Sequence, residues 1–156
     1  MEPAKEINAV CEEVLAGAEW ISIATSDGVS PHLVATWGDH VTIYGKKTFL
    51  IPAGGYHRTE ENLKRNGEVQ LFAVTRKVKR PDGSIGQGCL IYGKGAVQTE
   101  GKFAREIKKK YPWARGALIV KIIKIDGVQY LPKYVILLCL TGRVADANGS
   151  RIFITF

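Results

Sequence analysis

The sequence predicts a mainly β domain with short helices, its strands closed into a small antiparallel barrel. Three observations point there. Apolar residues recur at period two in many short runs, separated by turns of Gly, Asp, Ser and Asn. Only three stretches carry helical composition, and all are short. Gly93 and Gly95 fall inside one strand pattern, where they suggest the bulge or bend that a barrel wall requires. The 156 residues are read as a single domain, with an N-terminal helix over 1–17, the barrel core over 18–125 and a C-terminal extension over 126–156. A chain of this length can bury a core without disulfides.

Ile7, Val10, Cys11, Val14 and Leu15 recur at helical spacing, with Pro3 suited to the first turn and Gly17 to the stop. Trp20 to Ala24 alternates at period two, Ser26-Asp27-Gly28 is a turn, and His32 to Trp37 returns as the second strand of a hairpin. Gly38-Asp39 interrupts, His40 to Tyr44 resumes, Gly45-Lys46-Lys47 turns and Thr48 to Pro52 comes back. After Gly54-Gly55 a helix of barely two turns is expected, opening on Arg58-Thr59-Glu60 with the Thr59 hydroxyl as cap and ending at Asn66-Gly67. Val69 to Thr75 is a strand with apolar content on both faces. The basic run Arg76 to Arg80 follows, then the turn Pro81 to Ser84 and a flexible Gly86-Gln87-Gly88. Cys89 to Thr99 is a strand, and Lys102 to Lys110 a helix with Phe103 and Ile107 inward and a basic outer face, ended by Pro112. Ala117 to Ile125 alternates, Asp126-Gly127 turns, and the tail offers an apolar strand over Tyr134 to Leu140 and a hairpin around Asn148-Gly149.

Lys and Arg number 22 against 15 Asp and Glu, a net charge of +7 that favours anionic partners without specifying a function. Cys11, Cys89 and Cys139 are far apart and form no CxxC pair, as expected of small buried residues in a reducing compartment. The N-terminal helix carries acids, unlike a targeting peptide, and no apolar run reaches the ~18 residues of a membrane span, so a cytoplasmic protein is expected.

No GxSxG, GxxxxGK[ST] or HExxH motif occurs, and the glycines at 86, 88, 93 and 95 lie before and within a strand, not between strand and helix as a dinucleotide fingerprint requires. No carboxylate partner is placed by the sequence beside His32, His40 or His57. The basic clusters Arg76 to Arg80 and Lys102 to Lys110, with Tyr92, Tyr111 and Trp113, leave room for an OB-like nucleic-acid binder, though cations and aromatics are not interleaved along one strand. The most suggestive stretch is Pro31 to Asn62. Its glycine pair, cation and hydroxyl at a helix start are what a small anion needs: bare amides, the positive end of the helix dipole and a fixed charge. Residues alone leave open a plain strand-turn-helix junction, with Trp37 and Trp113 as core.

PHLVATW (31–37), PAGGYHRTEEN (52–62), GQGCLIYGKG (86–95) and WARGALIV (113–120), in this order, resemble the small FMN-binding proteins of sulfate-reducing bacteria. Those belong to the pyridoxamine-phosphate-oxidase-like, FMN-binding split-barrel superfamily. The resemblance runs from about Val14 to Ile125. It implies a six-stranded antiparallel Greek-key split barrel flanked by about three short helices, a homodimer, and one FMN per subunit at the interface. It implies that Ala35, Thr36 and Trp37 lie along the flavin, with Thr36 near the phosphate, and that Arg58 and Thr59 bind the phosphate where relatives have Lys-Thr. By the same resemblance Pro52, Gly54 and Gly55 pass close to the ring, Gln87, Gly88 and Cys89 offer main-chain groups to its polar edge, and Trp113 covers it. Two departures stand out: Ala35 replaces an Asn, and the chain continues past Ile125, where relatives soon end.

The implied function is electron transfer or a small flavin-dependent oxidoreductase, with no catalytic acid or base identified; Tyr56 and His57 are the nearest candidates. The other class of reading is a module that holds FMN, or a related planar anion such as haem or pyridoxal phosphate, without turnover.

Overall fold

A computed structural model describes residues 4–128 and two short strands beyond them. Helix α1 (Ala9–Gly17) is capped by Asn8, whose Oδ1 accepts from the Cys11 amide at 2.9 Å, so it starts later than the apolar spacing suggests. It buries Cys11, Val14 and Leu15 and leaves Val10 outward. Pro3 lies outside the described residues. The elements that follow are β1 (Trp20–Ser26), β2 (Pro31–Trp37), a 3-10 turn (Gly38–His40), β3 (Thr42–Tyr44), β4 (Thr48–Ala53) and α2 (His57–Asn66). Then come β5 (Glu68–Lys79), β6 (Ile85–Gln98), α3 (Lys102–Lys110) and β7 (Gly116–Val128). Two further strands, β8 (Arg143–Ala145) and β9 (Arg151–Phe153), pair antiparallel, in keeping with the hairpin expected there. Tyr134 to Leu140, Cys139 and Asn148-Gly149 lie outside the described residues.

Seven strands form one antiparallel sheet in the order β2-β1-β5-β6-β7-β4-β3, one more than the resemblance implied, with β3 only three residues long. Its two edges, β2 and β3, are consecutive in the chain and joined only by residues 38–41. That link spans at most ~18 Å, whereas the edges of a flat seven-stranded sheet lie ~29 Å apart. The sheet must therefore curl until its edges approach. No ladder joins them, which leaves the barrel split along this seam.

Inside the curl, Ile21 and Ile23 of β1, Phe49 and Ile51 of β4, Leu71 of β5, Ile91 of β6 and Leu118 and Val120 of β7 are all buried, and α1 closes one end. A second, smaller cluster lies outside the barrel, where Ile107 of α3 covers Leu50, Ala117 and Ile119. Strand β4 is consequently buried on both faces. The bulge foreseen at the barrel wall is present: the β6–β7 register shifts between Tyr92 and Gly93, and a Cβ at Gly93 would sit 2.7 Å from Val120 Cγ1.

Several expectations are corrected. Gly86-Gln87-Gly88 is strand, not a flexible link, and the basic run Arg76–Lys79 continues β5; Thr75 pairs with Gln87 and Lys79 with Ile85. Polar and glycine residues accept strand geometry here because a neighbouring strand supplies the hydrogen bonds. Asp126 and Gly127 do not turn, since they pair with Leu90 and Cys89. Helix α2 begins at His57 and runs for 10 residues, so Thr59 sits inside the helix instead of capping it. Its end is as expected, with Gly67 left-handed at φ 70° and its amide donating to the Leu63 carbonyl at 2.8 Å. Among the described residues no helix is long and apolar enough to cross a membrane.

Candidate functional site

Where the seam meets the start of α2, a cleft of about 650 Å³ opens, a volume ordinary for a small-ligand site. One wall is aromatic. Trp20 and Trp37 face each other across the β1–β2 pair on the outer side of the sheet, 51% and 57% exposed. Opposite them Trp113, 57% exposed, lies against Gly54: a Cβ there would come 2.9 Å from the indole Cζ3, so only glycine leaves room for the ring. His40, carried by the 3-10 turn, lies 4.8 Å from the Tyr111 ring and 5.7 Å from Trp113. Tyr111 donates to the Asp39 carbonyl at 3.2 Å, which ties that turn to the end of α3. None of the three tryptophans is core, so the packing role left open for Trp37 and Trp113 is not what the fold assigns them.

The other end is polar and restrained. Tyr56 holds a left-handed backbone at φ 56°, the one non-glycine residue to do so among those described, a conformation that costs ~1–2 kcal/mol. Its hydroxyl donates to the Ala35 carbonyl at 2.9 Å and so pins the start of α2 to β2. Burial pushes the Tyr56 phenol up, and a hydrogen bond with Thr36 opposes the shift. Arg115 brackets the glycine turn from behind. Its amide donates to the Ala53 carbonyl at 2.9 Å, its Nε to the Gly55 carbonyl at 3.0 Å, and its Nη2 lies 2.6 Å from Glu60 Oε2. Hydrogen bonds from Lys64 first, then from Arg115, hold the Glu60 carboxyl below its usual range.

No side chain caps α2, which leaves its first amides and its positive dipole end available. Beside them Thr59 is completely buried, and its Oγ1 has no hydrogen-bond partner among the described residues. One turn on, Asn62 Nδ2 donates to Thr25 Oγ1 at 3.1 Å. Arg58 is exposed, its guanidinium 4.0 Å from Asp27, whose Oδ1 is already taken by the Val29 and Ser30 amides. His32 is pushed down, by burial and then by the Arg58 charge.

Of the residues singled out from sequence, Ala35, Thr36, Trp37, Pro52, Gly54, Gly55 and Trp113 all line the cleft. Arg58 and Thr59 lie on the first turn of α2, next to Tyr56, which lines it too. Gln87, Gly88 and Cys89 are not brought to it. They sit buried along β6, with Gln87 Nε2 donating to the Gly88 carbonyl at 3.1 Å and Cys89 in the core with Cys11. His57 is exposed at the first position of α2. Sequence reading missed Trp20, His40 and Arg115. Trp20 was within reach, since pairing the two strands across their turn sets it opposite Trp37. His40 was not, because its neighbours Tyr111 and Trp113 are distant in the chain. Among the described residues no group of three or more His, Cys, Asp or Glu side chains could hold a metal ion.

Seven tenths of the chain has a close relative in sequence. It is 34% identical over 114 residues to the FMN-binding protein of Nitratidesulfovibrio vulgaris (strain Miyazaki F), a match covering 73% of this chain and 92% of the relative. No family model matches the chain. Among solved structures, Group A Streptococcus HupZ matches with a TM-score of 0.66 at 20% identity, covering 79% of this chain and 94% of that one. An FMN-binding protein from Syntrophomonas wolfei matches with 0.57 at 21%, covering 76% and 84%. A protein of the pyridoxinephosphate oxidase family from Clostridium acetobutylicum matches with 0.55 at 17%, covering 77% and 86%. The fold is therefore that of the pyridoxamine 5'-phosphate oxidase-like, FMN-binding split barrels. Within that class the chain belongs to the family of the FMN-binding protein of N. vulgaris.

Proposed function

We propose that this protein is a homodimeric flavoprotein that holds one FMN per subunit in the cleft and passes electrons, as a redox carrier or a small flavin-dependent oxidoreductase. The observation that carries the reading is the junction of three exposed indoles with an uncapped helix start beside a buried, unpartnered hydroxyl. A buried hydroxyl without a partner costs ~1–3 kcal/mol, and a phosphate oxygen is a group that would satisfy it. The residues present thus fit the nucleotide. Arg58 and Thr59, with the first amides of α2, would hold the phosphate dianion, a role in which a guanidinium offers two parallel donors where a Lys offers a point charge. Gly54 and Gly55 would let main-chain amides reach the ring without an intervening side chain, and Trp37 and Trp113 would offer it aromatic faces. Bound there, FMN supplies the electron-transfer chemistry, and the protein sets its potential and access.

The same surface supports the dimer. Trp20, Leu33 and Trp37 stand exposed on the outer face of β1 and β2, an apolar patch suited to a second copy.

Comparative titration tests the reading. Flavin-free protein should bind FMN with quenched fluorescence and bind riboflavin, which lacks the phosphate, weaker by ~2 kcal/mol, with sedimentation equilibrium giving a dimer. Equal affinity for the two flavins would put the phosphate elsewhere, and a monomer that ignores both would end the proposal. Reoxidation of the photoreduced protein by a one-electron acceptor, but not by NAD, separates carrier from oxidoreductase.

A further inference from the structure

Helix α3 carries five cations, Lys102, Arg105, Lys108, Lys109 and Lys110, against one acid, Glu106. Lys102, Arg105 and Lys109 fall at i, i+3 and i+7, on the side opposite the buried Ala104 and Ile107. Among the described residues no carboxylate lies within ion-pair distance of any of the five. Two are held by neutral groups, Lys102 Nζ by the Tyr44 hydroxyl at 2.9 Å and Lys108 Nζ by the Thr99 carbonyl at 2.7 Å. The positive charge is therefore positioned on a packed helix, in excess over its one acid and held in no ion pair among the described residues.

This face is continuous with the cleft. Lys110 Nζ sits 5.1 Å above the Tyr111 ring, Tyr111 lies 5.8 Å from Trp113, and Trp113 lines the cleft. The other basic run, Arg76 and Lys77 on β5, has no such connection, since neither it nor its β6 partner strand lines the cleft. We propose that the basic face of α3 is the docking surface for a small acidic one-electron redox protein, which it steers to the Trp113 edge of the cleft. The proposal rests on the flavin reading above. By electron balance, a two-electron-reduced flavin held in the cleft would serve two acceptor molecules in turn, one electron each, with its two protons released to solvent.

The test uses the full FMN-loaded protein, photoreduced without oxygen and mixed in a stopped flow with cytochrome c in two forms. The native form is basic and the fully succinylated form acidic, with the same haem and size. At ~20 mM ionic strength the acidic form should react about tenfold faster than at ~300 mM, where steering is screened. Arg105→Glu with Lys109→Glu should slow that reaction about tenfold at low salt, leave the high-salt rate within about twofold and leave FMN affinity unchanged. Arg76→Glu with Lys77→Glu, which alters net charge equally, should stay within about twofold throughout. A protein that loads and reduces normally but shows equal slowing in the two variants, or none in the first, overturns the docking surface alone. Failure to take up FMN overturns the flavin reading as well. Competition by a single-stranded 20-mer that the α3 variant no longer binds would reassign the face to nucleic acid.

Discussion

At the α2 end of the cleft, neighbouring groups are tied to one another. Tyr56 bonds Ala35, Arg115 bonds Ala53, Gly55 and Glu60, and Asn62 bonds Thr25. At the other end Trp20, Trp37 and Trp113 stand more than half exposed, the first two set side by side by strand pairing and Trp113 placed by ring contacts and a close glycine. The difference separates two tasks. A rigid, preorganised corner loses little entropy on gripping a compact anion, so it is suited to affinity. A ring wall open to solvent adapts to a planar group and adjusts its electronic surroundings, so it is suited to tuning.

Substitutions at the two ends should accordingly differ in kind. The largest effect is expected at Arg58, where Arg58→Ala should weaken FMN by ~2 kcal/mol, about thirtyfold, and Arg58→Lys by less. Calorimetric titration would check it, and an unchanged Kd would remove Arg58 from the phosphate. Arg115→Ala should lower unfolding stability in urea by ~1.5 kcal/mol and loosen FMN binding alongside, because the Gly55 carbonyl loses its donor and Glu60 one of its two cations. A variant equally stable but weak for FMN would mean that Arg115 touches the ligand itself.

Thr59→Val gives the most diagnostic sign. With an unpartnered hydroxyl replaced by a methyl of the same shape, the flavin-free protein should gain ~1 kcal/mol of stability while FMN binding loses about as much. Both changes falling in one direction would contradict the assignment. On the opposite wall, Trp113→Ala should cost no more than ~1 kcal/mol of affinity yet clearly change flavin fluorescence and midpoint potential. An affinity loss as large as that of Arg58→Ala would erase the distinction between the two ends.

The smallest effect concerns pH. Glu60 is held below the usual carboxylate range, by Lys64 and then by Arg115. Its folded value is depressed, so its contribution is present above the unfolded pKa of ~4.3 and disappears as pH falls through the folded value. Glu60→Gln should therefore reduce stability near neutral pH by less than ~1 kcal/mol, the pair being near the surface, and the gap to wild type should close in acid. A gap that stays constant down to pH 2 would show that the carboxylate charge is not what matters.

Much of the architecture is legible from residue spacing. α3 runs over the nine residues that its pattern marks out, Gly67 ends α2, and Gly93 marks the bulge. The boundaries that escape are those decided by distant partners. α2 opens at His57 because Tyr56 is pinned to a carbonyl 21 residues earlier, and Gln87 and Gly88 are strand because Thr75 and Val74 lie beside them. At the cleft, Pro31 to Asn62 with Trp113 marks out most of the lining, whereas Arg115 and His40 draw their meaning from contacts with residues more than fifty positions away in the chain.

By itself the amino-acid order determined the alternating strands, the glycine turn entering a basic helix start, and the excess of cations on α3. These are local matters of period, backbone freedom and charge. Only the tertiary structure decided which side of each strand is inside. Period two says that Trp37 and Thr36 face opposite ways, but not that the indole is the one left out. That choice was made when the short link between the edge strands forced the sheet to curl, turning Thr36 inward and bringing the exposed Trp20 and Trp37 to one cleft with Trp113.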